Sequence, residues 1–237
     1  MKLKIQPYYL LLFTAGFMLF TVIGTVSHEY GHIVVAKWFG YKTTLHYGSA
    51  SWNENYGWEE YRAISSKYSY EINNDLTFQR KKEYERIIKR LNDDGLIVLI
   101  GGPLQTILTG LIGLTIILFR RKTIRKNGLK LIDWLSVFLS LFWLREVFNV
   151  TRSVTLGILK ETCSYFSGDE ARISTILDLP IGTFSIILGV LGLIISLFII
   201  FKIVPYNKRL AFITGGLIGG ISGFVLWMNI IGPKILP

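Results

Sequence analysis

Apolar residues in this chain fall into long runs instead of the short alternations of a soluble core. The first run covers residues 8–27, and its helix is expected to continue through His32 to Phe39, where Gly40 supplies a stop. Further runs cover residues 96–119, 131–150, 181–203 and 210–231. Each is close to the roughly 20 residues a helix needs to cross about 30 Å of hydrocarbon. The pattern predicts an all-α polytopic membrane protein with about five transmembrane helices, built as a single membrane-embedded domain over residues 1–237. A signal peptide is not expected at the N-terminus. The apolar stretch is too long for one, no small-x-small cleavage site follows it, and it is read as a retained first span.

The large polar stretch is an insertion loop at residues 41–94. Residues 43–52 are rich in strand formers and small residues, which predicts a short β-hairpin. Residues 78–91 read as an amphipathic helix with Tyr84, Ile87, Ile88 and Leu91 on one side and six Lys/Arg around the rest. Such a helix suits a membrane surface, and a merely solvated charged helix fits the pattern as well.

Composition agrees with the membrane reading. Apolar residues make up 51% of the chain and the mean hydropathy is +0.43, high for a soluble globule. A net charge of +10 could suggest nucleic acid, but no nucleic-acid motif accompanies it. In a membrane protein, basic residues mark loops that face anionic lipid, so the bilayer is the expected partner and nucleic acid is not. The oligomeric state is not legible. The single cysteine, Cys163, excludes an internal disulfide and a multi-cysteine zinc site, and reads as a packing residue. Charge does not settle orientation. In either orientation His28, His32, the start of the second span and the loop after the third face the same side.

Two of the three histidines lie in one pentapeptide, His28-Glu29-Tyr30-Gly31-His32, at the end of the first apolar run. On a helix, H-E-x-x-H points two imidazoles from one face toward one cation. The glutamate between them can take a proton from a metal-bound water, which makes Glu29 the candidate catalytic base and His28 and His32 candidate metal ligands. Ionisable groups at membrane depth are costly and usually functional.

A catalytic zinc ion usually has three protein ligands and an open position. The first candidate for the third is Asp169, between spans three and four on the motif's side, although it could instead cap a helix. Glu170 and Glu146 follow, then the loop residues His46, Glu54, Glu59 and Glu60. Gly102 and Pro103, just inside span two, permit either a kinked segment beside the metal or close helix packing, and are candidate substrate-contacting positions together with Gln105 and Thr106. In span three Arg145, Asn149 and Arg152 share a helical face. Asn149 is a candidate stabiliser of a developing oxyanion. A structural Arg145–Glu146 pair is the plainer reading of that region.

The embedded HEYGH, a Gly-Pro pair opening the next span and a later aspartate resemble the site-2 protease family of intramembrane zinc metalloproteases. The resemblance covers roughly residues 8–40, 95–119 and 140–180. It implies His28, His32 and Asp169 as zinc ligands, Glu29 as the base, and a membrane-spanning protein as substrate. Family members usually carry an Asn-x-x-Pro stretch closely followed by Leu-Asp-Gly. Here Asn149 lacks that proline, and Gly168-Asp169-Glu170 lies well downstream. The expected activity is a zinc metalloendopeptidase in the cell (plasma) membrane, with residues 43–52 accepting the unwound substrate as an added strand. Two other readings are a catalytically inactive relative serving as a scaffold or transporter subunit, and a zinc hydrolase acting on lipid.

Overall fold

The computed structural model describes residues 6–53, 56–160 and 166–236, so Glu54 and Cys163 lie outside the described residues. The fold is helical, with one two-stranded antiparallel hairpin, and it is that of a membrane protein. Among the described residues four helical segments are long and apolar enough to cross a bilayer: Pro7–Trp38, Lys81–Asn127, Thr183–Ile203 and Tyr206–Ile235. The first is α1, and the hairpin follows as β1 (Lys42–Leu45) and β2 (Ala50–Asn53). Two helices complete the polar insertion, α2 (Tyr56–Lys67) and α3 (Ser69–Asn73). Then come α4 (Lys81–Asn127), α5 (Leu131–Ser140), α6 (Leu144–Lys160) and α7 (Asp169–Ile176). The C-terminal pair is α8 (Thr183–Phe198), continued by a wide turn to Ile203, and α9 (Tyr206–Leu226), whose last turns run into α10 (Gly232–Ile235).

Helix α1 packs against both α9 and α4. Pro7 opens it at a position where a missing N–H costs nothing. Gly40 closes it with φ +78°, donating to the Lys37 carbonyl while Tyr41 donates to that of Ala36. That pair of bonds satisfies carbonyls the helix end leaves free, and it turns the chain into β1. Along α9, Gly215, Gly219 and Gly223 recur every fourth residue and meet the α1 backbone at Thr14 and Met18, where larger residues would force the helices apart. An aromatic cluster of Phe13, Phe17, Trp134, Phe138 and Phe212 fills the end of the bundle remote from the histidines.

Two expectations change. The third span, 131–150, is not one helix. It is interrupted by a tighter 3-10 turn at Leu141–Trp143, whose three side chains are all buried. Neighbours surround this turn: Phe142 lies against Phe20 of α1, and Trp143 reaches Gly110 of α4 and Gly192 of α8. The amphipathic segment 78–91 does not form a separate surface helix. It is the beginning of α4, which runs unbroken for 47 residues through Pro103. Its apolar side is covered by α2, where Tyr61 stacks on Tyr84 with ring centroids 5.8 Å apart, so this side packs on protein.

Candidate metal centre

Three elements remote in sequence converge where α1 passes α4. They meet so closely because both present glycine at the crossing. A methyl group on Gly31 would lie 2.5 Å from the Gly101 carbonyl oxygen, and one on Gly101 would lie 2.6 Å from that of Gly31. Buried beside them, His28 and His32 occupy one face of α1, with ring centroids 5.1 Å apart. Helix α7 supplies the third group. Asp169 is its first residue, preceded by Gly168 at φ +98°, and its carboxylate turns away from its own helix end toward the imidazoles.

Asp169 Oδ2 lies 2.9 Å from His28 Nε2 and 3.2 Å from His32 Nε2. The other nitrogen of each ring is occupied: His28 Nδ1–H donates to Thr106 Oγ1 at 2.9 Å, and His32 Nδ1–H donates to the Val98 carbonyl at 2.8 Å. Thr106 Oγ1–H donates in turn to the Gly102 carbonyl at 3.3 Å. With both Nδ1 atoms committed as donors, two Nε2 lone pairs and a carboxylate oxygen face one point. Such a trio could hold a cation between its members, since all three ligand atoms lie within 4.8 Å of one another.

A tetrahedral zinc site with bonds of about 2.0–2.1 Å sets ligand atoms roughly 3.3 Å apart. The two separations from Asp169 Oδ2 differ from that by tenths of an ångström, the two Nε2 atoms lie within 4.8 Å of each other, and the donor set of two imidazoles and one carboxylate suits a divalent transition ion. The residues therefore fit a metal. Among the described residues this is the one group of three or more His, Cys, Asp or Glu so arranged.

The remaining third-ligand candidates sit elsewhere. Glu170 is buried on the neighbouring face of α7, 3.4 Å from the Asn149 amide, and the buried Glu146 interacts with it electrostatically. His46 lies in the hairpin turn near Ser51. Glu59 and Glu60 are exposed on α2, Glu60 pairing with Arg80.

A cavity of about 310 Å³ opens beside the trio, lined by Glu29, His32, Ala50, Trp52, Arg145, Asn149, Arg152, Asp169 and Arg172 among others. Glu29 is mostly buried. Arg145 Nη2 stands 3.8 Å from its Oε1, and the Ala50 backbone N–H hydrogen-bonds its carboxylate. The Trp52 ring stacks on His32, with centroids 6.3 Å apart. Strand β2 thus forms one wall, and α6 and α7 form the opposite one. Of the positions read from sequence as substrate contacts, Asn149 lines the cavity. Gly102 and Pro103 are buried, with Gly102 against the Nε2 atoms of both imidazoles. Arg172 was not legible as a site residue, although its spacing of three from Asp169 puts both on one side of α7.

Searches against protein-family models, curated proteins and solved structures gave no match. The chemistry of the site therefore rests on its own geometry.

Thr106 offers a direct check on the role of the ring-holding bonds. Thr106→Val keeps the shape and removes the acceptor for His28, and such outer partners typically account for 10–100-fold in metal affinity. A competition titration with a chromophoric chelator is expected to show weakening within that range. An unchanged zinc affinity would mean the hydroxyl does not set the ring.

Proposed function

We propose that this protein is an intramembrane zinc metalloendopeptidase of the cell membrane, hydrolysing a peptide bond of a membrane-spanning protein substrate. The observation that carries this reading is the meeting of His28, His32 and Asp169 at one point, with Glu29 on the wall of the adjoining cavity. The level of the site supports it. Gly102 is six residues beyond Leu96, where the apolar part of α4 begins, which is about 9 Å at 1.5 Å per residue. A peptide bond reached there lies near the edge of the hydrocarbon, where a helical substrate can unwind into water.

Zinc held by the three ligands would supply Lewis acidity, bringing the pKa of a water molecule toward about 7 and polarising the scissile carbonyl. Glu29 accepts the proton from that water and delivers it to the leaving amine. Arg145 and the Ala50 N–H keep the Glu29 carboxylate aimed into the cavity. Asn149 presents an amide donor to the oxygen on which negative charge develops. Strand β2 pairs with β1 along one edge only, so its other edge can take an unwound substrate as an added strand.

The test is metal content together with cleavage. Purified protein is expected to hold one zinc per chain and to cut a single-span reporter protein. A chelator should abolish cutting, stoichiometric zinc should restore it, and Asp169→Ala should lose both metal and activity. Wild-type protein that refuses zinc, or that cleaves equally well in chelator, would overturn the proposal.

A further inference from the structure

Three arginines face the cavity beside the metal centre, and the proposed chemistry employs one of them. Arg145, Asn149 and Arg152 are spaced i, i+4, i+7 along α6, which brings them to one side of that helix. Arg172 comes from α7, one turn beyond Asp169. All three guanidinium side chains line the same cavity as Glu29 and Asp169. Arg145 is half-buried, and its Nε, shut away from solvent, has no hydrogen-bond partner among the described residues. Arg152 and Arg172 are exposed. Among the described residues neither takes part in a side-chain hydrogen bond or a salt bridge.

Charge balance sharpens the point. Three lining carboxylates, those of Glu29, Asp169 and Glu170, match three lining arginines. A divalent cation at the imidazole pair then leaves the site with two positive charges that the lining does not offset. A cavity with an excess of positive charge and bidentate donors is suited to a carboxylate.

We infer that Arg145, Arg152 and Arg172 form an anion-recognition subsite, and that the substrate segment carries an aspartate or glutamate close to the bond that is cut. This rests on the endopeptidase reading above. The spacing of the arginines sets how close. Arg145 contacts the Glu29 carboxylate, and Arg152 lies seven residues further along α6, about 10 Å at 1.5 Å per residue. An extended peptide advances about 3.3 Å per residue, so the acidic side chain falls within about three residues of the scissile bond. Arginines at a membrane interface can also serve anionic lipid headgroups. Their position on the wall of the cavity, facing Glu29 and Asp169, favours the peptide.

The experiment uses two readouts on one peptide pool. Zinc-loaded full-length protein in neutral detergent is incubated with an equimolar pool of synthetic peptides of mixed sequence, and new termini are mapped by mass spectrometry. In parallel, zinc-loaded Glu29→Gln protein is immobilised, and the peptides it retains are identified. Acidic residues are expected to be enriched about tenfold within three positions of the cut and among the retained peptides. Arg152→Gln and Arg172→Gln, at exposed positions that leave zinc content and melting temperature intact, should each reduce that enrichment several-fold, and together they should remove it.

Cutting without acidic preference overturns the inference while leaving the protease reading standing. A preference that survives in the double variant overturns it too. Absence of cutting, with acidic peptides still retained through the arginines, supports the subsite and defeats the protease reading. Binding of phosphatidylglycerol vesicles that depends on the two arginines, with flat peptide selection, assigns them to lipid and also overturns the inference.

Discussion

Gly102→Ala is expected to abolish metal binding. A single methyl group at this position would overlap His32 Nε2 and stand 2.6 Å from His28 Nε2, inside the space the ion needs. Gly31 and Gly101 already bring the two backbones into contact one residue earlier, so the methyl group would have to push α1 and α4 apart. The imidazoles cannot swing aside without giving up their bonds to Thr106 and the Val98 carbonyl. Overpacking of this kind costs about 1–3 kcal/mol of stability, which a membrane bundle can survive, whereas the ligand geometry cannot. Gly220→Ala is the matched control. It adds the same methyl group to a membrane helix where nothing lies within 4 Å, and it should bind zinc as the parent does. The measurement is zinc per chain in folded, monodisperse protein of each variant. Zinc retained by Gly102→Ala at wild-type affinity would show that the ion does not sit between these rings.

Glu29→Gln should have the opposite profile, with full metal content and almost no turnover. Glutamine keeps the length of the side chain and can still meet Arg145, but it cannot take a proton from water. General-base catalysis of this type typically contributes 10²–10⁴-fold. A loss in that range in kcat, with substrate affinity preserved, is the expected result for a single-span reporter. Comparable cleavage by the zinc-replete variant would remove Glu29 from the chemistry and leave the metal with a structural role. The two substitutions separate the parts of the site: one empties it with the base intact, and the other disarms the base with the ligands intact.

Much of this architecture was legible because hydrocarbon imposes strict demands on a sequence. With no water to satisfy the backbone, a membrane segment is a helix, and its length follows from bilayer thickness. That is why α1, α4, α8 and α9 correspond to predicted runs, and why Gly40 marks the end of α1. The hairpin followed from strand formers in residues 43–52. The break at Leu141–Trp143 was hidden, because an apolar run looks the same whether its helix is straight or locally tightened, and the neighbours of the turn, Gly110 and Gly192, lie in two distant helices. The union of residues 78–91 with span two was hidden for a related reason. The polar stretch 92–95, Asn-Asp-Asp-Gly, resembles a loop, yet it sits inside a helix.

The HEYGH pentapeptide carried its own geometry, because helical spacing alone aligns the two imidazoles. Asp169 could be nominated but not placed, since its approach depends on α7 packing more than a hundred residues away in sequence. The groups that hold the rings, Thr106 and a main-chain carbonyl, leave no recognisable spacing at all. Arg172 illustrates the same limit, as only the folded chain brings it to a wall shared with Arg145.

The unbroken course of α4 has a mechanical consequence. A helix of 47 residues is about 70 Å long, and it carries the apolar platform for α2 near one end and the glycine against the imidazoles in its middle. No hinge or loop separates those points, so a displacement of the insertion is expected to be transmitted along α4 to the Gly31–Gly101 contact. Whatever docks on that insertion from outside the bilayer shares a lever arm with the metal pocket.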